Sequence, residues 1–182
     1  MSWGVDPTVK LRALAHPLRL RMLSLLTGSE MTAAEVAREL DLTHANASYH
    51  LRHLMEAGVI EVAGEERIRG GVAKRYRHRP DAEFETPKPK VPDSGGPTAD
   101  HLLVYEALAS ELRRRSRSLM RGPGNHLTDA ELWVDPAVWA EVGQQVTDAS
   151  RALHRAAVAP RTPGAIRVNA TIALFRMEPD AK

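Results

Sequence analysis

Between Thr8 and Gly58 the apolar positions recur three and four residues apart, the repeat of helices that bury one face, and punctuating residues divide this run into four. Thr8 to Ala15 predicts a short first helix. His16-Pro17 breaks and restarts it, because proline lacks an N–H yet fits a first helical turn. The helix from Pro17 to Thr27 turns Leu18, Met22, Leu25 and Leu26 inward, with Leu20 and Leu23 widening the stripe and Gly28 as the stop. Thr32 followed by Glu35 is a capping box, opening a helix through Leu40. Asp41-Leu42 makes a tight turn, and Thr43 caps a helix to Ala57 whose stripe is Ala47, Leu51, Leu54 and Met55; Gly58 ends it.

The period then changes. Val59 to Val62 has the β-branched character of a strand, Gly64 to Gly71 reads as a loop, and Val72 to His78 as the returning strand of a hairpin. Asp81 to Thr98 holds Pro87, Pro89, Pro92, Pro97 and Gly95-Gly96, which rules out a continuous helix or central strand and predicts a linker. Beyond it, Ala99 to Arg121 predicts a helix with Leu102, Tyr105, Leu108, Ala109, Leu112 and Leu119 on one stripe, ended by Gly122-Pro123-Gly124. Leu127 to Val134 reads as a strand. Asp135-Pro136 caps a helix to about Val158, and Pro160 to Gly164 breaks it. Ile166, Val168, Ala170, Ile172 and Leu174 then alternate with Arg167, Asn169, Thr171, Ala173 and Phe175, a period of two. One strand is not stable alone, so the expectation is a small two-stranded sheet of 127–134 and 166–175 covered by the helix between them.

The third and fourth helices of the first half are short and joined by a tight turn, the form of a helix-turn-helix, and the outer faces of the later one carry chemistry suited to DNA. Thr43, His44, Asn46, Ser48, Tyr49, His50 and Arg52 supply donors and acceptors for phosphates and base edges near that helix's N-terminus, where the dipole favours anions. His50 also borders the buried stripe, so a structural hydrogen bond competes with a phosphate contact there. Net charge is only +2, so the distribution carries more than the total. From Arg67 to Arg79 the run RIRGGVAKRYRHR holds six cations and no acid, and Arg67, Arg69, Lys74 and Arg75 are the wing candidates for backbone or minor-groove contact. Arg77 and Arg79 end the strand. A second cluster, Arg113 to Arg121, circles its helix and reads as structural or interfacial first.

The span from about Thr8 to Arg79 resembles the ArsR-type winged-helix regulators of prokaryotes. LRALAHPLRLRMLSLL resembles that family's opening helix pair, SYHLRHLMEAGVIE its recognition segment, and GGVAKRYRHR its basic wing ending in a Tyr-Arg strand. The three segments agree in order and spacing over somewhat less than half the chain. The resemblance implies a dimeric, sequence-specific DNA-binding repressor or activator, with a recognition helix in the major groove and wings at the flanks. Metal-sensing members of the family use a cysteine motif or paired His and carboxylate ligands in a terminal helix. This chain has no cysteine, and Asp100-His101 lacks spaced partners, so no metal site and no cofactor are expected.

The expected fold class is therefore α+β: a winged helix-turn-helix domain over 1–80, a Pro/Gly-rich linker over 81–98, and a C-terminal extension over 99–182 for dimerisation and ligand sensing. Leu102, Tyr105, Leu108, Leu112 and Leu119 are the candidate dimer interface. The expected partners are double-stranded DNA, a second copy of the chain and an unidentified small-molecule effector, for which Trp133, Trp139, Tyr105, Phe175 and Met177 are candidate pocket residues. With 43% apolar and 26% charged residues, no apolar run of membrane-spanning length and no signal-peptide start, a cytoplasmic location is expected. No glycine-rich phosphate loop, H-E-x-x-H or other catalytic spacing occurs, so an enzyme is not expected. Winged helices also serve as protein-binding scaffolds, and that alternative stays open at this point.

Overall fold

A computed structural model describes residues 7–68, 70–79 and 98–177. The elements follow in the order α1 (Pro7–Leu14), α2 (Pro17–Thr27), β1 (Met31–Thr32), α3 (Ala33–Leu40), α4 (His44–Glu56), β2 (Ile60–Ile68), β3 (Gly71–His78), α5 (Ala99–Ser116) and α6 (Pro136–Ala156). The strands form an antiparallel sheet in the order β1-β3-β2. Its core takes Met22, Leu23 and Leu26 of α2 and Ala47, Leu51 and Leu54 of α4 from the expected stripes and adds Val36 and Ala37 of α3, then Val59 and Ile60; Leu18, Leu20, Leu25 and Met55 of those stripes are only half-buried. Three helices over a three-stranded sheet whose last two strands form a hairpin make a winged helix-turn-helix, and α5 packs against α1 and α2.

Each turn in the helix-turn-helix has a local cause. Both halves of the capping box form: the Glu35 N–H donates to Thr32 Oγ1 (3.2 Å) and the Thr32 N–H to Glu35 Oε2 (2.7 Å). Asp41 takes a left-handed conformation (φ 55°), and the Leu42 N–H reaches back to the Ala37 carbonyl (2.8 Å). α4 ends at Gly58, whose φ of 68° only glycine adopts without strain. Gly28 closes α2 for another reason. Its φ is ordinary, but the Val158 backbone passes so close that a Cβ on Gly28 would lie 2.3 Å from the Val158 carbonyl oxygen.

Four expectations need correction. Gly64 to Gly71 is not a loop: β2 continues to Ile68, and the chain reverses in two residues with Gly70 at φ 98°. A bulge leaves Ala63 unpaired between Val62 and Gly64, and facing charges such as Glu65 opposite Lys74 replace the apolar alternation that normally announces a strand. The helix expected to reach Arg121 stops at Ser116, leaving Leu119 beyond it. Ser116 Oγ donates to the Arg113 carbonyl (2.9 Å), and the Ser118 and Leu119 N–H groups bond only three residues back. Serine competition and a tightened last turn unwind it.

The buried face of α5 also differs from the expected stripe. Ala107 and Glu111 face α1 and α2, while Leu102, Tyr105, Leu112 and Leu119 are exposed and Leu108 is half-buried. Arg12 holds Asp100 through its Nε (3.1 Å), tying α1 to the start of α5. Finally, 127–134 and 166–175 do not form the expected two-stranded sheet. Among the described residues both run without a ladder partner, since pairing requires backbone edges to meet and period two alone does not bring them together. The expected linker falls, apart from Thr98, outside the described residues.

Candidate nucleic-acid interface

Ala47, His50, Leu51 and Leu54 turn into the core, so helical spacing turns Ala45, Ser48, Tyr49 and Arg52 outward. Thr43 caps the helix, its Oγ1 accepting the Asn46 N–H (3.2 Å), and Thr43, His44 and Asn46 are exposed in the first turn. Ser48 is half-buried, Tyr49 and Arg52 are exposed. Six of the seven α4 candidates thus share one accessible end and face. No carboxylate comes before Glu56, at the opposite end of the helix.

His50 does not belong with them. It is 7% exposed, its ring stacked at a tilt on His16 (centroids 4.8 Å apart) and edge-on to Tyr49, and its Nδ1 is buried without a hydrogen-bond partner. It sits at the margin of the buried stripe, where helical spacing alone does not decide between core and solvent. Burial pushes its pKa down, and the neighbouring His16, Arg19 and His53 push the same way. His16 in turn caps α2, Nδ1 accepting the Leu18 N–H (3.1 Å), and its pKa is lowered by burial and by Arg19. Arg19 caps the other side of the break by donating to the carbonyls of Arg12 and Ala13 at the end of α1. Its own pKa is lowered by desolvation. Between α1 and α4 lies a groove of about 360 Å³ floored by Ala13 and Arg19 and walled by Tyr49 and His53.

The hairpin alters the charge picture most. Its register sets Glu61 opposite Arg77 and Glu65 opposite Lys74. Arg77 bonds Glu61 (2.7 Å), which raises its pKa, and Arg79 also approaches Glu61 (3.5 Å). Arg75 is engaged by Glu66 (2.6 Å), Glu35 (3.5 Å) and the Glu30 carbonyl, so it clamps the wing to the start of α3. The capping bond from the Thr32 backbone, and Arg75 to a lesser degree, hold the Glu35 carboxyl below its usual range. Among the described residues, Arg67 and Lys74 remain exposed without an ion pair, near the hairpin's end. Arg69 lies outside the described residues. Reading RIRGGVAKRYRHR by itself misses the three glutamates that β2 brings alongside: the register sets Glu61 opposite Arg77, while Glu66 reaches Arg75 on the diagonal.

In the extension, Arg114 and Arg115 hold the buried Glu111 at 2.7 and 3.4 Å, a contact within the chain. Arg161 grips Glu39 through both nitrogens (2.8 and 2.9 Å), which lowers the Glu39 pKa. The five aromatic and methionine pocket candidates do not converge: Trp139 borders a groove of about 550 Å³ with Ile172 and Leu174, Tyr105 packs on Phe175, and Trp133 and Met177 point to solvent.

A family of helix-turn-helix domains matches residues 14–63. The transcriptional repressor SdpR of Bacillus subtilis (strain 168) is 37% identical over 49 residues, 27% of this chain and 54% of that protein. This chain therefore spans about half the length of the curated relative it matches. Residues 14–63 are a helix-turn-helix domain by sequence as well as by fold; the narrower ArsR-type likeness rests on the motifs alone. Among the described residues no helix is long and apolar enough to cross a membrane.

Proposed function

We propose that the protein is a sequence-specific DNA-binding transcriptional regulator acting as a homodimer, with repression the favoured sign by similarity to the repressor above. The observation that carries this reading is α4: a helix locked into the core by one face, with Thr43, His44, Asn46, Ser48, Tyr49 and Arg52 on its accessible end and face. An Arg reads guanine bidentately, an Asn reads adenine, and hydroxyls hold phosphate, so the set suits a major groove. Arg67 and Lys74 then meet the backbone or minor groove at the flank. The exposed side of α5, with Leu102, Tyr105 and Leu112, is the proposed dimer face, and two copies set the spacing of two half-sites.

The testing experiment is selection of bound duplexes from a random pool with the purified full chain, followed by titration of the enriched duplex at several salt concentrations. A recurring inverted repeat and affinity falling steeply with salt support the reading. Absence of duplex binding at low salt refutes it. The glutamates along β2 favour the second reading, a winged helix that binds protein, since Glu61, Glu65 and Glu66 offset half of the six cationic charges of the hairpin. In that case the pool yields no enriched sequence.

A further inference from the structure

Residues 166–175 run as an extended segment between two helices. On one side Asn169 accepts from Arg115 of α5 (3.3 Å) and Phe175 packs on Tyr105 of α5 (5.3 Å between centroids). On the other, Ile172 and Leu174 border the groove against Trp139 and Val146 of α6. Asn169 and Phe175 thus meet α5 while Ile172 and Leu174 meet α6, the alternation by which a strand turns odd and even positions to opposite sides. Yet the segment joins no ladder among the described residues, and Ile166 and Val168 are 84% and 64% exposed. An alternating segment that touches a helix on either side, stays largely exposed and pairs with no strand among the described residues lacks the partner that would stabilise it as a strand.

We infer that this partner is the same segment of a second copy, paired antiparallel about a two-fold axis through Ala170. The sequence is self-complementary about that point. Opposed residues in an antiparallel pair share a face, and centring on Ala170 sets Ile166 against Leu174, Val168 against Ile172, Asn169 against Thr171 and Arg167 against Ala173. Apolar meets apolar, amide meets hydroxyl, and no arginine faces another. Ala170 puts the smallest of these side chains on the axis. The Tyr105–Phe175 contact makes the strand continuous with the exposed stripe of α5. At roughly half exposure each large apolar side chain offers on the order of 80–100 Å², so the nine such residues on the two elements approach the ~800 Å² per partner of a standard interface.

The inference rests on the homodimer proposed above, and cysteine cross-linking separates the two. Because the full chain has no cysteine, Ala170→Cys introduces a single thiol, at an exposed position. In the paired strand the two Cα atoms at 170 lie about 4.5–5.5 Å apart, within reach of a disulfide. For Ala173→Cys they are separated by about 20 Å, out of reach. Mild oxidation should convert most Ala170→Cys protein to a covalent dimer and leave Ala173→Cys monomeric on a denaturing gel, with both variants dimeric by light scattering. A dimer by light scattering that does not cross-link at 170, or that cross-links equally at both positions, overturns the strand pairing and leaves the homodimer standing. A monomer overturns both.

Discussion

The imidazoles of His16 and His50 lie 4.8 Å apart, joining the cap of α2 to the buried side of the candidate recognition helix. Both pKa values are lowered by burial, each carries a neighbouring cation, and the His16 ring accepts a backbone hydrogen bond that its protonated form cannot accept at Nδ1. The folded state therefore binds fewer protons here than the unfolded chain. Stability is fully present above the ordinary histidine value of 6.5 and is lost as the pH falls through the lowered folded values. Urea midpoints measured between about pH 5 and 8 should fall on the acid side. His16→Asn, which keeps a capping oxygen and removes the titration, should reduce that slope; an unchanged slope refutes the assignment.

The two kinds of arginine in the candidate interface should separate cleanly. If Arg52 makes the proposed base or phosphate contact, Arg52→Ala should weaken binding to the selected duplex by about 1–3 kcal/mol with little effect on stability. Arg67→Ala and Lys74→Ala should each lower the salt slope by about one. Arg75→Ala should instead cost about 1–2 kcal/mol of folding stability, because the side chain joins Glu66, Glu35 and the Glu30 carbonyl. Thermal melts alongside binding isotherms check the set, and equal behaviour of Arg52 and Arg75 variants would contradict it.

Glu111 is 2% exposed and neutralised by Arg114 and Arg115. Glu111→Ala leaves two partly exposed guanidinium groups facing apolar packing, and we expect a loss of about 1–3 kcal/mol, below the figure for a fully buried pair because both arginines keep some water. A urea midpoint indistinguishable from the parent's would remove this ion pair from the account of how α5 docks.

Gly28→Ala tests how the extension meets the winged helix. The added Cβ would overlap the Val158 backbone, which cannot yield as a flexible side chain does. Residues near 158 should detach and become sensitive to limited proteolysis, while α2, whose φ at this position suits alanine, stays folded. Unchanged proteolysis would show that the contact is not maintained.

The helix-turn-helix was legible because its signals are local. Thr32 with Glu35, Asp41, Thr43 and Gly58 act within a few residues, and α2, α3 and α4 fall where these residues place them. The outer half of β2 was not, since Glu65 and Glu66 look like loop residues until Lys74 is known to lie across from Glu65 and Arg75 diagonal to Glu66. His50 was ambiguous for a related reason: a position at the edge of a stripe is decided by what packs beside it, here His16 from another helix. In the extension both expected helices are present, but the first ends early at Ser116 and buries Ala107 and Glu111 instead of its leucine stripe, and the expected sheet does not form. Alternation at 166–175 reports two faces for side chains, whereas sheet formation depends on backbone edges, which leave no mark in the composition.

The pairing of charges along β2 and β3 has an electrical consequence. Glu61 and Glu66 occupy Arg77 and Arg75, Lys74 faces Glu65, and Arg67 lies nearest the tip, so the wing is a rod whose uncompensated positive charge among the described residues sits toward its far end. Near a polyanion such a rod experiences a torque as well as an attraction, both acting at that far end. The glutamates that weaken the wing as a cationic patch thereby make it a pointer.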